Sequence, residues 1–184
     1  MDIVNIISNM NLSNSSNTKK KILVFDVETT GLLPKKSQAS ISPISIDNYP
    51  YIIQLSFILY DMEKNNIDSC YDAMINIPEN IFIPLEVSEL TGIYTHMCHY
   101  RGEDIINALI AFEIAYKQCN CIVAHNMDFD IEMILAEIER NRAEILSRAP
   151  QCFTLFQPVY ERVSNIERYC TMRKGTNICN IAIP

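Results

Sequence analysis

Apolar runs and amphipathic stretches along the chain predict five strands and three helices. Short apolar runs bounded by Gly, Pro, Asn or polar residues predict strands over residues 22–27, 51–60, 70–77, 121–124 and 166–172. Apolar residues recurring every three or four positions predict helices over residues 85–90, 102–117 and 128–147. Residues 151–165 fit either a loop or a helix, and the apolar ending of the chain predicts no helix after the fifth strand.

The order of the predicted elements indicates the fold class. Three strands come first, and a polar turn over residues 61–68 joins the second strand to the third. A helix, a strand, a helix and a final strand then follow. This order predicts an α/β fold, with a mixed five-stranded sheet of three antiparallel strands and then parallel strands, flanked by helices.

Length and composition fit a single folded domain after a short N-terminal arm. Residues 1–19 are rich in Asn and Ser, so we expect a disordered arm there and a folded domain over residues 20–184. No apolar run reaches the ~18 residues that span a bilayer, and the first residues do not resemble a secretory signal. The seven Cys form no CxxC pair, which favours free thiols in a reducing, cytoplasmic compartment, away from any membrane.

The net charge of −7 bears on how the protein could bind nucleic acid. A protein that holds nucleic acid by bulk electrostatics needs a basic face, which this composition disfavours. An enzyme that acts on nucleic acid through bound metal is compatible with this charge, because the carboxylates that ligate the metal are themselves negative.

Two carboxylates at the end of the first predicted strand have a spacing that suits metal binding. Side chains alternate along a strand, so Asp26 and Glu28 share one face, about 7 Å apart. Carboxylates in that arrangement can ligate a hard cation such as Mg²⁺. Thr29, Thr30 and Gly31 come next and offer hydroxyl and amide groups for a phosphate and a ribose. The alternative is a strand end with two solvated acids, and the tripeptide alone does not decide between the two.

The second candidate cluster lies where the fourth predicted strand passes into a helix, over residues 124–130. Asp130 falls in the first helical turn, at the carboxyl end of the sheet, where ligands collect in open α/β folds. Asp128 is predicted to be the N-cap or a solvated neighbour, since Asp is favoured at that position. His125 is either a capping or core histidine or a substrate contact, and both interpretations stay open.

The two clusters together resemble the first two motifs of the DEDD-type 3′–5′ exonucleases, a family with the ribonuclease H-like fold. The matching segments are FDVETTGL, over residues 25–32, and AHNMDFD, over residues 124–130. The segments IIQLSFILYD and VSELTGI between them also resemble that family, and the similarity spans residues 20–175. The resemblance implies metal-assisted hydrolysis of phosphodiester bonds at nucleic-acid 3′ ends, which releases 5′-mononucleotides.

The resemblance also implies roles for individual residues. Asp26, Glu28 and Asp130 match the acids that hold two Mg²⁺ or Mn²⁺ ions and carry catalysis. The residues that match the substrate contacts are Thr29, Thr30, Gly31, Leu32, His125, Asn126 and Phe129. The implied partners are a DNA or RNA 3′ end and a polymerase or another replication or repair protein.

The third motif of that family, a His followed five residues later by an Asp, has no match near the C-terminus. His99 and Asp104 have this spacing, but they lie before the second motif, in the wrong part of the topology. We therefore expect a domain that is truncated and incomplete at the C-terminus, with weak or absent hydrolysis. Two explanations stay open. The chain is either a fragment of an active exonuclease or a complete module that only binds nucleic acid or a polymerase. An unrelated structural or signalling domain with accidental acids is a third alternative.

Overall fold

The computed structural model describes residues 20–34 and 44–179 of the chain. The predicted N-terminal arm, residues 1–19, lies outside the described residues, as do residues 180–184. In the described part, five strands form one sheet and seven helices flank it.

The five strands form a single mixed sheet. They are β1 (Lys21–Thr29), β2 (Ile52–Asp61), β3 (Asn66–Met74), β4 (Cys121–Ala124) and β5 (Glu167–Cys170). Their order across the sheet is β3-β2-β1-β4-β5. β2 pairs antiparallel with both β1 and β3, whereas β4 pairs parallel with both β1 and β5. The predicted sheet, three antiparallel strands followed by parallel ones, is confirmed.

The helices occupy the connections between strands and the segment after β5. They are α1 (Leu85–Thr91), α2 (Thr95–Arg101), α3 (Ile105–Tyr116), α4 (Met127–Arg140), α5 (Arg142–Arg148), α6 (Pro158–Ser164) and α7 (Thr171–Cys179). Two short 3-10 turns lie at Ile46–Asn48 and Pro150–Thr154. The segment 151–165 is therefore partly helical. None of the helices in the described part is long and apolar enough to cross a membrane.

The main apolar core lies between α3 and one face of the sheet. Phe112 of α3 is fully buried, and its ring lies edge-on to those of Phe25 and Phe57, with centroids 5.2 and 5.7 Å apart. Val24 and Asp26 alternate with the core residues of β1 and are exposed on the opposite face. Core packing on one face thus leaves the other face of β1 open for polar chemistry.

The third strand lies earlier in the chain than the predicted range, residues 70–77. β3 ends at Met74, which is paired with Gln54 near the start of β2. Ile77 leaves the ladder and packs in a second, smaller apolar cluster with Ile53 and Ile83. The apolar residues continue past the end of β3 into this second cluster, so the local sequence does not show where the strand ends.

The predicted helix over residues 128–147 is two helices, α4 and α5, separated at Asn141. The Asn141 side-chain amide donates to the main-chain carbonyl of Glu137 at 2.9 Å. Asn is unfavourable inside helices because its side chain bonds to main-chain groups, which agrees with a helix end at this residue.

The segment after β5 corrects one prediction. The sequence predicts no helix there, but α7 follows β5 directly. The Thr171 hydroxyl donates to the Ala124 carbonyl at 3.3 Å, and Arg173 forms an ion pair with Asp128, so the first turn of α7 is anchored beside the start of α4. The residues that anchor α7 are distant in sequence. The pattern of apolar and polar residues over α7 itself, which Gly175 interrupts, does not indicate a helix.

The glycine at the end of α1 has a backbone conformation whose contribution to stability can be tested. Gly92 has left-handed angles, φ 75° and ψ 4°. We expect Gly92→Ala to lower the free energy of unfolding by about 1–2 kcal/mol, because an L side chain is strained there. Gly175 is the matched control, since a Cβ added to it meets no atom within 4 Å. Gly175→Ala is expected to keep or raise stability in urea unfolding, and equal losses in the two variants would contradict this account.

Candidate active site

Asp26 and Glu28 lie on one face of β1, as the alternation predicts. Phe25 and Val27 are buried in the core, whereas Asp26 is exposed and Glu28 is half-buried. Among the described residues neither carboxylate has an ion-pair partner. The two acids therefore stand together on the open face without a compensating cation.

Asp130 reaches β1 from the first turn of α4. Asn126, at the N-cap of α4, has left-handed angles (φ 58°, ψ 45°) that turn the chain from β4 into the helix, a conformation that Asn tolerates. Asp130 is buried, 2% exposed, and its Oδ1 accepts a hydrogen bond from the Val27 N–H at 3.1 Å. Because Val27 lies between Asp26 and Glu28, this bond brings the third acid to the other two.

Desolvation opposes ionisation of these three carboxyl groups, and repulsion by neighbouring acids adds to it for Glu28 and Asp130. Burial raises the pKa of Asp130 to about 7, and the charges of Asp26 and Glu28 add to the rise, against the Val27 hydrogen bond. Partial desolvation raises the pKa of Asp26 although its side chain reaches solvent, and His125 partly offsets the rise. Burial, followed by the charge of Asp26, raises the pKa of Glu28. Carboxyl groups gathered at such a cost in free energy are typical of functional sites.

The donor set suits a hard divalent cation. Asp130 Oδ2 is buried and has no hydrogen-bond partner among the described residues, so one carboxylate oxygen is left for a ligand. A cation would offset the repulsion with Asp26 and Glu28, and Mg²⁺ and Mn²⁺ both prefer oxygen ligands. In residues 20–34 and 44–179 no three His, Cys, Asp or Glu side chains are placed to hold one ion. A bound ion would therefore take further ligands from water or substrate, as Mg²⁺ usually does.

The turn after β1 is ordered by its own hydroxyl groups. Thr29 is buried, and its hydroxyl donates to the Gly31 carbonyl at 2.6 Å. The Thr30 hydroxyl accepts from the Tyr51 N–H at 3.0 Å, and the Thr30 N–H donates to the Tyr51 carbonyl at 2.9 Å. Leu32 is 87% exposed. Both hydroxyls therefore shape the turn, and Leu32 is the predicted contact residue whose side chain is free to meet a ligand.

The predicted contact residues at the start of α4 differ in exposure. His125 and Asn126 are exposed, and Phe129 is half-buried against the main core. Its exposure excludes His125 from the core, and Asn126 rather than His125 is the N-cap of α4. His125 Nδ1 lies 3.0 Å from the Thr171 hydroxyl oxygen. Asp128 is exposed and is not the N-cap, because Asn126 occupies that position and Asp128 pairs with a residue of α7.

A buried Glu–Arg pair, which the sequence analysis missed, fixes the segment before β2 to the end of α4. Arg140 forms an ion pair with Glu137 and donates to the Tyr49 carbonyl at 3.0 Å. Glu137 is 3% exposed and accepts from the Ile52 N–H at 3.1 Å. α4 therefore holds β1 at its first turn and the start of β2 at its last turn. The i, i+3 spacing of Glu137 and Arg140 was visible in the sequence, but it is common on solvated helix faces.

The contact between the turn and the segment before β2 is testable. We expect Thr30→Val to lower the free energy of unfolding by about 1–2 kcal/mol, because the Tyr51 N–H loses its acceptor. Thr30→Ser keeps the hydroxyl and is the matched control, so its unfolding curve is expected to stay close to wild type. If the valine variant were as stable as the serine variant, the hydroxyl would not be holding the turn.

Other candidates from the sequence do not join this site. Asp104 caps α3 by accepting from the Ile106 N–H at 2.9 Å and also pairs with Arg148 at 2.7 Å, so it is not partnered with His99 for chemistry. Cys119 and Cys121 are buried free thiols, and burial raises the pKa of each to about 12. Both thiols are therefore core groups.

Comparisons with known proteins agree with the geometry. A family model described as Exonuclease (RNase_T) matches residues 23–176. The chain is 29% identical over 122 residues to the 3′-5′ exonuclease DinG of Bacillus subtilis (strain 168), a match that covers 66% of this chain and 11% of that protein. The chain therefore corresponds to a small part of that relative.

Solved structures of exonuclease I share the fold. Exonuclease I in complex with the inhibitor BCBP aligns with a TM-score of 0.60 at 15% identity, covering 89% of this chain and 31% of that chain. E. coli exonuclease I in complex with a dT13 oligonucleotide aligns with a TM-score of 0.56 at 15% identity, covering 90% and 31%. A zinc-ion-bound form of the E. coli ExoI–ssDNA complex aligns with a TM-score of 0.58 at 16% identity, covering 91% and 32%. The shared fold is the ribonuclease H-like arrangement of a mixed five-stranded sheet flanked by helices.

The family match covers the whole of the site. Residues 23–176 include β1 with its two acids, the turn that follows, and the start of α4 with the third acid. The chain therefore belongs to the RNase_T family of DEDD-type 3′–5′ exonucleases.

Proposed function

We propose that this chain is a metal-dependent 3′–5′ exonuclease domain that releases 5′-mononucleotides from nucleic-acid 3′ ends. The observation that carries this proposal is the buried Asp130 carboxylate. It accepts a hydrogen bond from Val27, the residue between Asp26 and Glu28, and keeps one oxygen unpartnered among the described residues. A module that only bound nucleic acid would be weakened by two acids, Asp26 and Glu28, on the face that is open to the phosphates. The similarity to DinG of Bacillus subtilis, a 3′-5′ exonuclease, supports the direction of cleavage.

Asp26, Glu28 and Asp130 would hold the divalent cations that this family requires. Bound Mg²⁺ or Mn²⁺ would supply Lewis acidity for the hydrolysis of the terminal phosphodiester. The chain itself places the acids, with α4 fixed to β1 through Asp130 and to the start of β2 through Glu137. This rigid placement lets the carboxylates face a phosphate without a change of fold.

The substrate strand would enter along the open face of β1. The ordered turn after β1 would meet the terminal nucleotide, with the exposed Leu32 against its base or sugar. His125 and Asn126, both exposed, would lie beside the backbone of the strand. E. coli exonuclease I binds a dT13 oligonucleotide, and a single-stranded DNA end is accordingly the substrate to test first. A polymerase or another replication or repair partner stays a prediction.

Hydrolysis by the chain is expected to be slow, because residues 171–184, which follow β5, contain neither the His nor the Asp of the family's third motif. The test uses excess purified chain and a short 5′-labelled single strand, in Mn²⁺ or in EDTA. A ladder that shortens one nucleotide at a time in Mn²⁺, with 5′-mononucleotides as product, is the expected result. A closed single-stranded circle is the control and is expected to stay intact. Metal-dependent binding of the strand without any cleavage would favour the binding module instead, and cleavage of the circle would contradict exonuclease action.

A further inference from the structure

His125 is the one histidine of the chain that lies beside the acids. The sequence has three His, and the other two, His96 and His99, belong to α2. The parallel ladder between β1 and β4 pairs Val24 with Val123, and Asp26 and His125 each lie two residues further along. Continuation of that register places His125 level with Asp26 at the carboxyl end of the sheet. The effect of His125 on the pKa of Asp26, which burial raises and His125 lowers, agrees with this proximity.

The Thr171 hydroxyl contacts both the last carbonyl of β4 and the His125 imidazole. That hydroxyl donates to the Ala124 carbonyl at 3.3 Å and lies 3.0 Å from His125 Nδ1. A carbonyl can only accept, so a hydroxyl proton directed to it leaves the hydroxyl oxygen to accept from Nδ1–H. The neutral imidazole then carries its proton on Nδ1 and presents the Nε2 lone pair. His125 is exposed, so Nε2 is accessible to water.

The anchor of α7 keeps Thr171 in place. Arg173, two residues later, forms an ion pair with Asp128 on the first turn of α4. Thr171 is bonded to the last residue of β4 and to the residue that follows it, so the imidazole is held between β4 and α7. A histidine oriented through one nitrogen, with the other facing solvent, has the arrangement of a general base.

We propose that His125 is the general base of this site, oriented by Thr171 as a positioning residue. The inference rests on the proposed exonuclease function. Nε2 accepts a proton from the attacking water, whose oxygen forms a bond to the terminal phosphorus as the bond from phosphorus to the 3′ oxygen breaks. The departing 3′ oxygen takes a proton from solvent, and His125 later returns its proton to solvent. The products are a 5′-mononucleotide and a strand shortened by one residue.

The tautomer is measured first, without metal or substrate. Long-range ¹⁵N–¹H spectra of the purified chain distinguish a protonated Nδ1 from a protonated Nε2. We expect the Nδ1–H form at His125 in the wild type and in Thr171→Ser, which keeps the hydroxyl. Thr171→Val is expected to lose that preference. An Nε2–H form in the wild type, or the same tautomer in all three proteins, would overturn the role of Thr171.

The role of His125 is measured by cleavage of a 5′-labelled single strand by excess enzyme in Mn²⁺. General base catalysis contributes 10²–10⁴-fold in typical cases, so His125→Ala is expected to be slower by about 100-fold or more. Added imidazole is expected to restore part of the rate of His125→Ala and to leave the wild type unchanged, because the site is open to solvent. His96→Ala, at an exposed position on α2, is the matched control and is expected to cleave at the wild-type rate.

The outcomes separate this inference from the function on which it rests. If the wild type cleaves and His125→Ala cleaves equally fast, the exonuclease stands and the assignment of His125 is wrong. A slow His125→Ala that binds Mn²⁺ normally and recovers with imidazole supports the assignment. If the wild type binds metal and strand but cleaves neither DNA nor RNA, both the exonuclease activity and the role of His125 are overturned.

Discussion

Asp26→Asn is expected to lower the rate of 3′-end cleavage at least about 1,000-fold, with the fold intact. Its carboxylate is the exposed acid of the site, next to Glu28 and level with His125. The amide that replaces it has no negative charge to offer a cation, and metal-assisted stabilisation of the transition state is worth several kcal/mol. Cleavage of a 5′-labelled single strand in Mn²⁺ measures this directly.

The matched control for Asp26→Asn is Asp72→Asn. Asp26 is paired with Ser56 across β2, and Ser56 is paired with Asp72 on β3, so the two aspartates share one row of the sheet. Asp72 accepts hydrogen bonds from Gln54 and Ser56 and has no part in the proposed chemistry. Cleavage by Asp72→Asn is expected to match the wild type. An equal loss in both variants would mean that the open face as a whole, and not the acid site, supports the reaction.

Asp130→Asn is expected to stabilise the metal-free protein at pH 8. The change that it causes in the free energy of unfolding is expected to be more favourable at pH 8 than at pH 4 by up to about 4 kcal/mol. Burial raises the pKa of Asp130 from its ordinary value of 3.8 to about 7, with the charges of Asp26 and Glu28 adding to the rise. The folded state therefore holds this proton more tightly than the unfolded state does. The stability that this provides is fully present below pH 4 and is lost as pH rises through 7, at about 1.36 kcal/mol per pKa unit. An amide does not ionise, so Asp130→Asn does not lose this stability as the pH rises.

Urea unfolding in EDTA from pH 4 to pH 8 measures the effect. Asp128→Asn, at an exposed position on the same helical turn, is the control and is expected to follow the wild-type pH dependence. Added Mg²⁺ is expected to stabilise the wild type at pH 8 and to leave Asp130→Asn nearly unchanged, because the buried oxygen that faces the cation carries no charge in the variant. Parallel pH curves for the wild type and Asp130→Asn would mean that Asp130 is not held in a desolvated position against β1. Such a gain in stability with a loss of ligand binding is common when functional groups are replaced.

Much of the fold follows from short-range patterns, because strand and helix periodicities are local. β1 alternates buried and exposed positions up to Glu28, which is why the sequence predicts a shared face for the two acids. The order of the sheet also follows, since a turn joins β2 to β3 and helices precede β4 and β5. The resemblance implied that the three acids act together, but the contact that brings Asp130 to β1 needed a structure, because the hydrogen bond joins Val27 to a residue more than a hundred positions later.

Long-range contacts explain what the sequence did not predict. Arg140 donates to the carbonyls of Ile46, Tyr49 and Pro50, which no local pattern in α4 can indicate. α7 is anchored by Thr171 to the end of β4, across a gap of 47 positions. The N-cap of α4 is Asn126 because left-handed backbone angles end β4 there. In the first two cases a partner distant in sequence decides the local structure, and in the third the backbone conformation of a single residue does.

A calorimetric titration of Mn²⁺ into the purified chain, with Asp26→Asn alongside, tests whether the three acids form a metal site. We expect saturable binding by the wild type, because Asp26, Glu28 and the unpartnered oxygen of Asp130 gather negative charge at one place. We also expect Asp26→Asn to bind the ion far more weakly. Equal heats for the two proteins, or no binding by either, would contradict the claim that these three carboxylates form the metal site of an exonuclease.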